Sequence, residues 1–393
     1  MRKTLAIMYD GSFNSRHERG YIASLRLQGI DTLVISLDEN VNEPIVCKEI
    51  IEVNNNTVKI PVIKLPSINA FVYENLLTKL LADFHVESII TLPRTPYLLT
   101  YRISRKLKVP FIVRFWSIRA LKLVDNLKHG AYSDLLLFIP SLITNLTEAL
   151  MSDGIIVSDD VIYKALKELG VNRVRSLVKV YPPAGFSLRG KLNNNVIEKI
   201  REAEPYVLAM TVLSKTGAYL KFEAKPHSLL FYYLAKRIPS INFLIGGSNK
   251  EEFVRIFPNI RNKMPKNLIF IGRGFTDDTL KILYQHSIAT VTYISNRSIS
   301  NRLLEAMALN TVIVTNPLAL SLHPELTGSI VIAHSADDYQ KAIKDIVKDD
   351  NKRDELREKL RETYLKYFSP ELNSTLTLKI VDLASYTSGS KGM

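Results

Sequence analysis

Residues 297–316 read RSISNRLLEAMALNTVIVTN, and the reading of this stretch decides the architecture of the second half of the chain. Leu303, Leu304, Ala306, Met307 and Ala308 are strong helix formers around one acid, Glu305, while Thr311 to Thr315 is a β-branched run of the kind that fills a buried parallel strand. A helix entering a sheet in this way would bury one end of a site. A carboxylate near its N-terminal turn sits where backbone N–H groups and the helix dipole stabilise anions, and it can accept two hydroxyl hydrogen bonds from a sugar or ribose. An ordinary surface position on an amphipathic helix suits the same residue, so the segment alone leaves both readings open.

Across the rest of the chain, strand and helix signals alternate as expected of parallel sheets with helices on both faces. The pattern predicts strands at Leu5 to Tyr9, Thr32 to Ile35, Ser88 to Leu92, Phe111 to Phe115, Gly154 to Val157 and Leu177 to Val180, and a hairpin around Asn54, Asn55 and Asn56. Helices are expected over Arg16 to Gln28, Ala70 to Asp83, Tyr97 to Leu107 and Asp159 to Leu169. Tyr181-Pro182-Pro183-Ala184-Gly185 breaks the rhythm, and the charged stretch Glu198 to Glu204 ends at Pro205. The alternation then resumes with strands at Tyr206 to Val212, Asn242 to Gly246, Leu268 to Ile271 and Ile288 to Ile294, and helices at Pro226 to Arg237, Lys250 to Asn262 and Asp277 to Gln285. The expected fold class is α/β, with two doubly wound Rossmann-like domains facing a central cleft. The predicted boundaries are 1–185 for the first domain, 186–204 for a linker, 205–368 for the second domain and 369–393 for a C-terminal helix that packs back on the first.

The chain has 393 residues, 46% hydrophobic and 23% charged, which suits two globular domains. The longest apolar run, Leu135 to Ile143, is short and contains Pro140, so no membrane span is expected. The start, MRKTLAIMYDG, reads as a first strand rather than a signal peptide, and the expected location is cytoplasmic. Cys47 is the only cysteine, which excludes an intramolecular disulfide and a thiolate-based zinc site. No histidine pair has metal spacing, and no Asp-x-Asp pair stands at a strand end, so neither a metal nor a cofactor is expected. The net charge of +13 implies an acidic partner: nucleic acid, anionic lipid and nucleotide diphosphates all qualify. Basic residues are densest from Arg94 to Lys128, directly before the apolar residues Leu135 to Ile139, and this combination suits peripheral contact with an anionic membrane. A solvated helix face followed by a buried helix fits the same residues.

From Pro205 to Val331 the order of features resembles the donor-binding half of family-four retaining glycosyltransferases with the GT-B fold. Lys225-Pro226-His227 at a helix start looks like the lysine-glycine pair that grips the donor diphosphate, and Gly246-Gly247-Ser248 ends the next strand. Leu268 to Ile271 with Gly272-Arg273 resembles the loop that holds the nucleobase through backbone contacts. Glu305 lines up with the second Glu of a pair separated by seven residues, the one that binds ribose hydroxyls. The first Glu of that pair falls on Arg297, and the arginine that follows the family's first strand is absent, leaving Lys215 or Lys221 to replace its charge. Before the linker the likeness is one of pattern: Gly11 to Arg19 occupies the glycine loop, and Trp116-Ser117 stands where the family commonly has a histidine.

The resemblance implies a metal-independent, retaining hexosyltransferase acting on a nucleotide-diphosphate-sugar. Its implied acceptor is a lipid-linked glycan or other glycan precursor, held by the first domain at the cytoplasmic membrane face. Lys225 and Glu305 are the implied catalytic pair, and Gly11, Lys215, Gly246, Gly272, Arg273, Arg297, Asn301 and Leu304 the implied donor contacts. His17, Arg114, Trp116 and Arg119 are expected to face the acceptor or the membrane. Nucleic acid is not the expected partner. Two alternatives stay open: a nucleotide-sugar epimerase of GT-B architecture, which would turn over without an acceptor, and a catalytically inactive nucleotide-sugar or nucleic-acid binder.

Overall fold

The structure is a computed structural model that describes residues 3–10, 15–67, 70–92, 96–115, 135–173, 175–188, 194–213, 223–295 and 300–389. Within them the chain divides into two units, one built from residues up to 115 with 135–187 and 367–389, the other from 188–366.

In the first unit, β1 (Thr4–Asp10), β2 (Asp31–Asp38), β3 (Ile45–Val53), β4 (Asn56–Pro66), β5 (Ser88–Thr91), β6 (Phe111–Phe115), β7 (Gly154–Val157), β8 (Ser176–Lys179) and β9 (Phe186–Ser187) form one sheet. Its order is β8-β7-β6-β5-β1-β2-β4-β3-β9. The strands from β8 to β4 pair in parallel, and β5, β6 and β7 are buried along their whole length because helices cover both faces. At the other edge β3 and β4 make an antiparallel hairpin. Its two turn residues, Asn54 and Asn55, both have positive φ (48° and 63°), the backbone twist that a two-residue hairpin turn requires.

The helices of this unit are α1 (Arg16–Leu27), α2 (Glu74–Asp83), α3 (Tyr97–Leu107), α4 (Leu135–Met151) and α5 (Asp160–Glu168). The helix expected from Ala70 begins as a 3₁₀ turn over Ala70–Tyr73 and becomes α-helical at Glu74. Asp153, just ahead of β7, accepts two bonds from Arg105 at 3.0 Å and one from the Phe111 N–H at 3.0 Å, tying α3 to the start of β6. The last helix, Pro370–Gly389, packs against α1: Asn373 donates to the Tyr21 carbonyl (3.1 Å) and Thr377 to the Tyr21 hydroxyl (3.2 Å). On its other side α1 runs so close to the Pro183 to Gly185 segment that a Cβ on Gly20 would lie 1.9 Å from the Pro183 oxygen.

The second unit opens with α6 (Asn194–Glu202), a helix inside the stretch whose composition reads as a linker. Its strands are β10 (Tyr206–Met210), β11 (Asn242–Gly246), β12 (Leu268–Gly272), β13 (Ser287–Val291), β14 (Ile313–Thr315) and β15 (Val331–Ile332). They pair in parallel in the order β12-β11-β10-β13-β14-β15. This is the doubly wound order in which chain direction across the sheet reverses between the first and fourth strands. The connecting helices are α7 (Lys225–Arg237), α8 (Lys250–Ile256), α9 (Asp277–Gln285), α10 (Asn301–Ala308), α11 (Leu318–Leu322), α12 (Ala336–Lys348) and α13 (Asp350–Tyr367). Helix α8 stops at Ile256 rather than reaching Asn262, because Pro258 disfavours helical backbone at Phe257; a 3₁₀ segment, Pro258–Lys263, takes over. The apolar core between sheet and helices is aromatic, with Phe231 edge-on to Phe243 at 5.1 Å. Asn267 closes it from below by donating its side-chain amide to the carbonyls of Ala235, Ile238 and Ile241 (3.0, 3.0 and 2.7 Å).

Candidate donor-binding site

The reversal between β10 and β13 leaves a crevice at their carboxyl ends, the usual ligand position in an open α/β sheet. Helix α7 begins there from the β10 side and α10 from the β13 side. Lys225 is the first residue of α7, half-buried, followed by Pro226, which fits the first turn because its missing N–H has no helical partner to lose. Ala224 precedes it and has no side-chain oxygen with which to cap the helix. Helix α10 does have such a cap, since Ser300 accepts from the Leu303 N–H at 3.4 Å.

Glu305 lies one turn into α10 and is 3% exposed, which removes the surface reading of this residue. Its carboxylate accepts from the Tyr284 hydroxyl at 3.3 Å, and the same hydroxyl lies 3.4 Å from the Arg302 carbonyl. Around the starts of α7 and α10 lies a set of contacts that the sequence did not reveal. Arg302 ion-pairs with the buried Glu223 and donates through Nη1 to the Met210 carbonyl (3.1 Å) and to His227 Nδ1 (3.3 Å). The Ser295 hydroxyl donates to the second oxygen of Glu223 at 3.1 Å. His227 Nε2 faces the Val291 carbonyl at 2.9 Å, and burial pushes the His227 pKa down to about 4. The one signal for this set was local: Glu223 is an acid two residues before Lys225, and Arg302 is a cation in the first turn of a helix, where the dipole disfavours it.

The glycine positions sit along the same edge of the sheet. Gly246 ends β11, and a Cβ there would lie 2.5 Å from Met210 Sδ; Gly247 has φ +89° and donates to the Gly272 carbonyl at 2.6 Å. Ser248 bridges back to β10, donating to the Thr211 carbonyl (2.8 Å) and accepting from the Leu213 N–H (2.9 Å). Gly272 has φ +86° with nothing near its Cα substituent position, so the backbone beside it is open. Arg273 ion-pairs with Glu252, whose carboxylate also closes the capping box of α8, so the arginine side chain is held by the protein itself. Asn301 is exposed at the start of α10. Leu304, by contrast, is 1% exposed with its N–H bonded to the Ser300 carbonyl: it is a core residue rather than a donor contact. Lys215 and Arg297 lie outside the described residues, as do Gly11, Trp116 and Arg119.

In the first unit His17 is 8% exposed in the first turn of α1, with Ser15 Oγ 2.8 Å from Nδ1. Arg114 departs from expectation. It is fully enclosed, its guanidinium 3.5 Å from the Tyr21 ring centroid, and burial pushes its pKa down to about 9. An arginine packed over an aromatic face inside the unit faces neither a membrane nor solvent. The basic run before it is also partly spent internally: Glu74 holds Arg102 (3.0 Å) and Lys106 (2.6 Å). Among the described residues no helix is long and apolar enough to cross a membrane, and no cluster of His, Cys, Asp and Glu suits a metal ion.

Comparison with known proteins bears on the fold. Residues 227–375 match a family model described as glycosyl transferase-like. No curated protein sequence matches the chain. Among solved structures, sucrose-phosphate synthase from Thermosynechococcus elongatus superposes with a TM-score of 0.64 at 16% identity, over 96% of this chain and 98% of that one. A glycosyltransferase from Rickettsia africae gives 0.59 at 14% identity, over 98% of each chain. Anabaena HepE, solved in complex with UDP and glucose, gives 0.60 at 13% identity, over 97% of this chain and 100% of that one. The chain has the GT-B fold, and its second unit carries the resemblance to the group 1 glycosyltransferases.

Proposed function

We propose that the protein is a retaining glycosyltransferase that moves a sugar from a nucleotide-diphosphate donor to a glycan precursor, with a lipid-linked acceptor at the cytoplasmic membrane face as the favoured class. The observation that supports this reading is that the helices bearing Lys225 and Glu305 follow the neighbouring strands β10 and β13, with Arg302 linking the two helix starts. A pyrophosphate needs a cation and is favoured at a helix N-terminus; Lys225 supplies the cation as the first residue of α7, and the residue before it offers no side-chain cap. A pentose needs a fixed carboxylate for its vicinal hydroxyls, the part given to Glu305. Gly272 lets the backbone after β12 come close to a nucleobase.

Transfer with retention passes through an oxocarbenium-like state, so the chain's task is to stabilise the departing diphosphate and keep water out. In this reading Lys225 balances the charge that develops on the leaving phosphate, and no metal is needed. The UDP found in HepE makes UDP-sugars the first donors to test. The experiment is a thermal-shift screen of UDP-, GDP-, ADP- and dTDP-sugars, followed by product analysis with lipid-linked and soluble acceptors, with and without EDTA. A donor that raises the melting temperature, EDTA-insensitive transfer and a product with the donor's anomeric configuration are expected. Turnover without an acceptor would favour the epimerase. Salt-sensitive binding to single-stranded nucleic acid with no donor consumption would overturn the enzyme reading.

A further inference from the structure

Four side chains from separate elements meet beside the β10/β13 crevice: Glu223 just ahead of α7, His227 in its first turn, Ser295 beyond β13 and Arg302 in the first turn of α10. Their hydrogen-bonding roles are fixed by chemistry. A carbonyl only accepts, so His227 Nε2 carries the proton toward Val291; a guanidinium only donates, so Nδ1 offers its lone pair to Arg302. His227 is therefore neutral, and Arg302 is committed at once to Glu223, to His227 and to the last residue of β10. Removing such an ion pair from water is costly, and apolar side chains of similar volume would hold two helices together at least as well. What apolar packing does not give is the fixed direction of a planar guanidinium bound on several sides.

We propose that the Glu223–Arg302 pair is the positioning strut of the donor site. The pair grips the backbone two residues before Lys225, and Arg302 through His227 grips the first turn of α7 as well; on its own helix Arg302 lies one turn before Glu305. The strut thereby sets the spacing between the phosphate-binding lysine and the ribose-binding carboxylate. This inference rests on the donor-site reading above. Arg302 and Glu223 act through Lys225 and Glu305 and need not touch the reacting atoms. A ligand that spans both ends of the site should feel a loosened strut, whereas a ligand that engages only one end should not.

The test compares each of UDP, GDP, ADP and dTDP with its own nucleoside, by calorimetry and NMR titration, on the full-length protein and on Arg302→Met, Arg302→Lys and Glu223→Gln. For the diphosphate that binds the wild type best, Arg302→Met and Glu223→Gln are expected to weaken affinity roughly tenfold or more, the size of a lost charged hydrogen bond. Affinity for the matching nucleoside is expected to change less than about threefold, and Arg302→Lys to recover part of the diphosphate affinity. If Arg302→Met does not fold, Glu223→Gln carries the comparison, since it keeps the shape of the side chain. Parallel weakening of both ligands, or no weakening of either, overturns the strut while leaving the donor site standing. A wild-type protein that binds none of the four diphosphates overturns the donor reading itself, and the strut with it.

Discussion

Replacing Glu305 with alanine separates a ligand-binding carboxylate from a structural one. The Tyr284 hydroxyl donates to its carboxylate at 3.3 Å, beyond the usual O–H···O range, so this bond contributes about 0.5–1 kcal/mol. Truncation does not strand that hydroxyl, because the Arg302 carbonyl lies 3.4 Å from it. Losing this bond, together with the small void left at a site that is 3% exposed, should cost the fold about 1–2 kcal/mol. A ribose hydroxyl bonded to a buried carboxylate is worth more, about 1.5–3 kcal/mol, so the dissociation constant for the preferred nucleoside diphosphate should rise roughly 10- to 100-fold. Calorimetric titration measures the binding loss, and scanning calorimetry on the same samples measures the stability loss. Tyr284→Phe is the control: it removes the internal bond, keeps the carboxylate, and should shift affinity by less than about threefold. Folded Glu305→Ala with unchanged affinity, or Tyr284→Phe weakening binding as much as Glu305→Ala, would refute the ribose role.

His227 makes stability pH-dependent. Its folded pKa of about 4 lies below the ordinary 6.5, so the unfolded chain takes up a proton first and this contribution, present above pH 6.5, is lost as pH falls toward 4. A gap of that size converts to about 3 kcal/mol, and urea titrations of His227→Gln across this window should show a correspondingly flatter pH profile. Gly20→Ala would bring a methyl group 1.9 Å from the Pro183 oxygen and 2.8 Å from the Gly185 nitrogen, backbone atoms with little freedom to yield. It should destabilise the first unit by about 3 kcal/mol, seen as a lower denaturation midpoint with an unchanged m-value.

Much of the fold is legible because the responsible signals are local. The β3–β4 hairpin follows from two asparagines at its turn and the buried parallel strand β14 from Thr311 to Thr315, whereas the helix expected to reach Asn262 ends at Ile256, ahead of Pro258. Glycine positions were legible for the same reason, since Gly247 and Gly272 must adopt φ values that other residues avoid. Arg114 carries no such local signal. Within a dense basic run it reads as surface charge, and only the packing of Tyr21 from α1 across β6 explains why this one cation is buried.

The candidate site divides in the same way. Lys225 and Glu305 each announce themselves within their own helices, but their joint significance depends on Arg302 meeting Glu223 across 79 positions and Ser295 meeting Glu223 across 72. No periodicity links residues so far apart. The link is made by strand order, because a sheet arranged β12-β11-β10-β13-β14-β15 sets its first and fourth strands side by side and carries two intervening helix–strand repeats out of the way. Whatever follows those two strands must then share one crevice. Glu223 just before the first helix and Arg302 in the first turn of the fourth are brought together there, and their opposite signs let them pair.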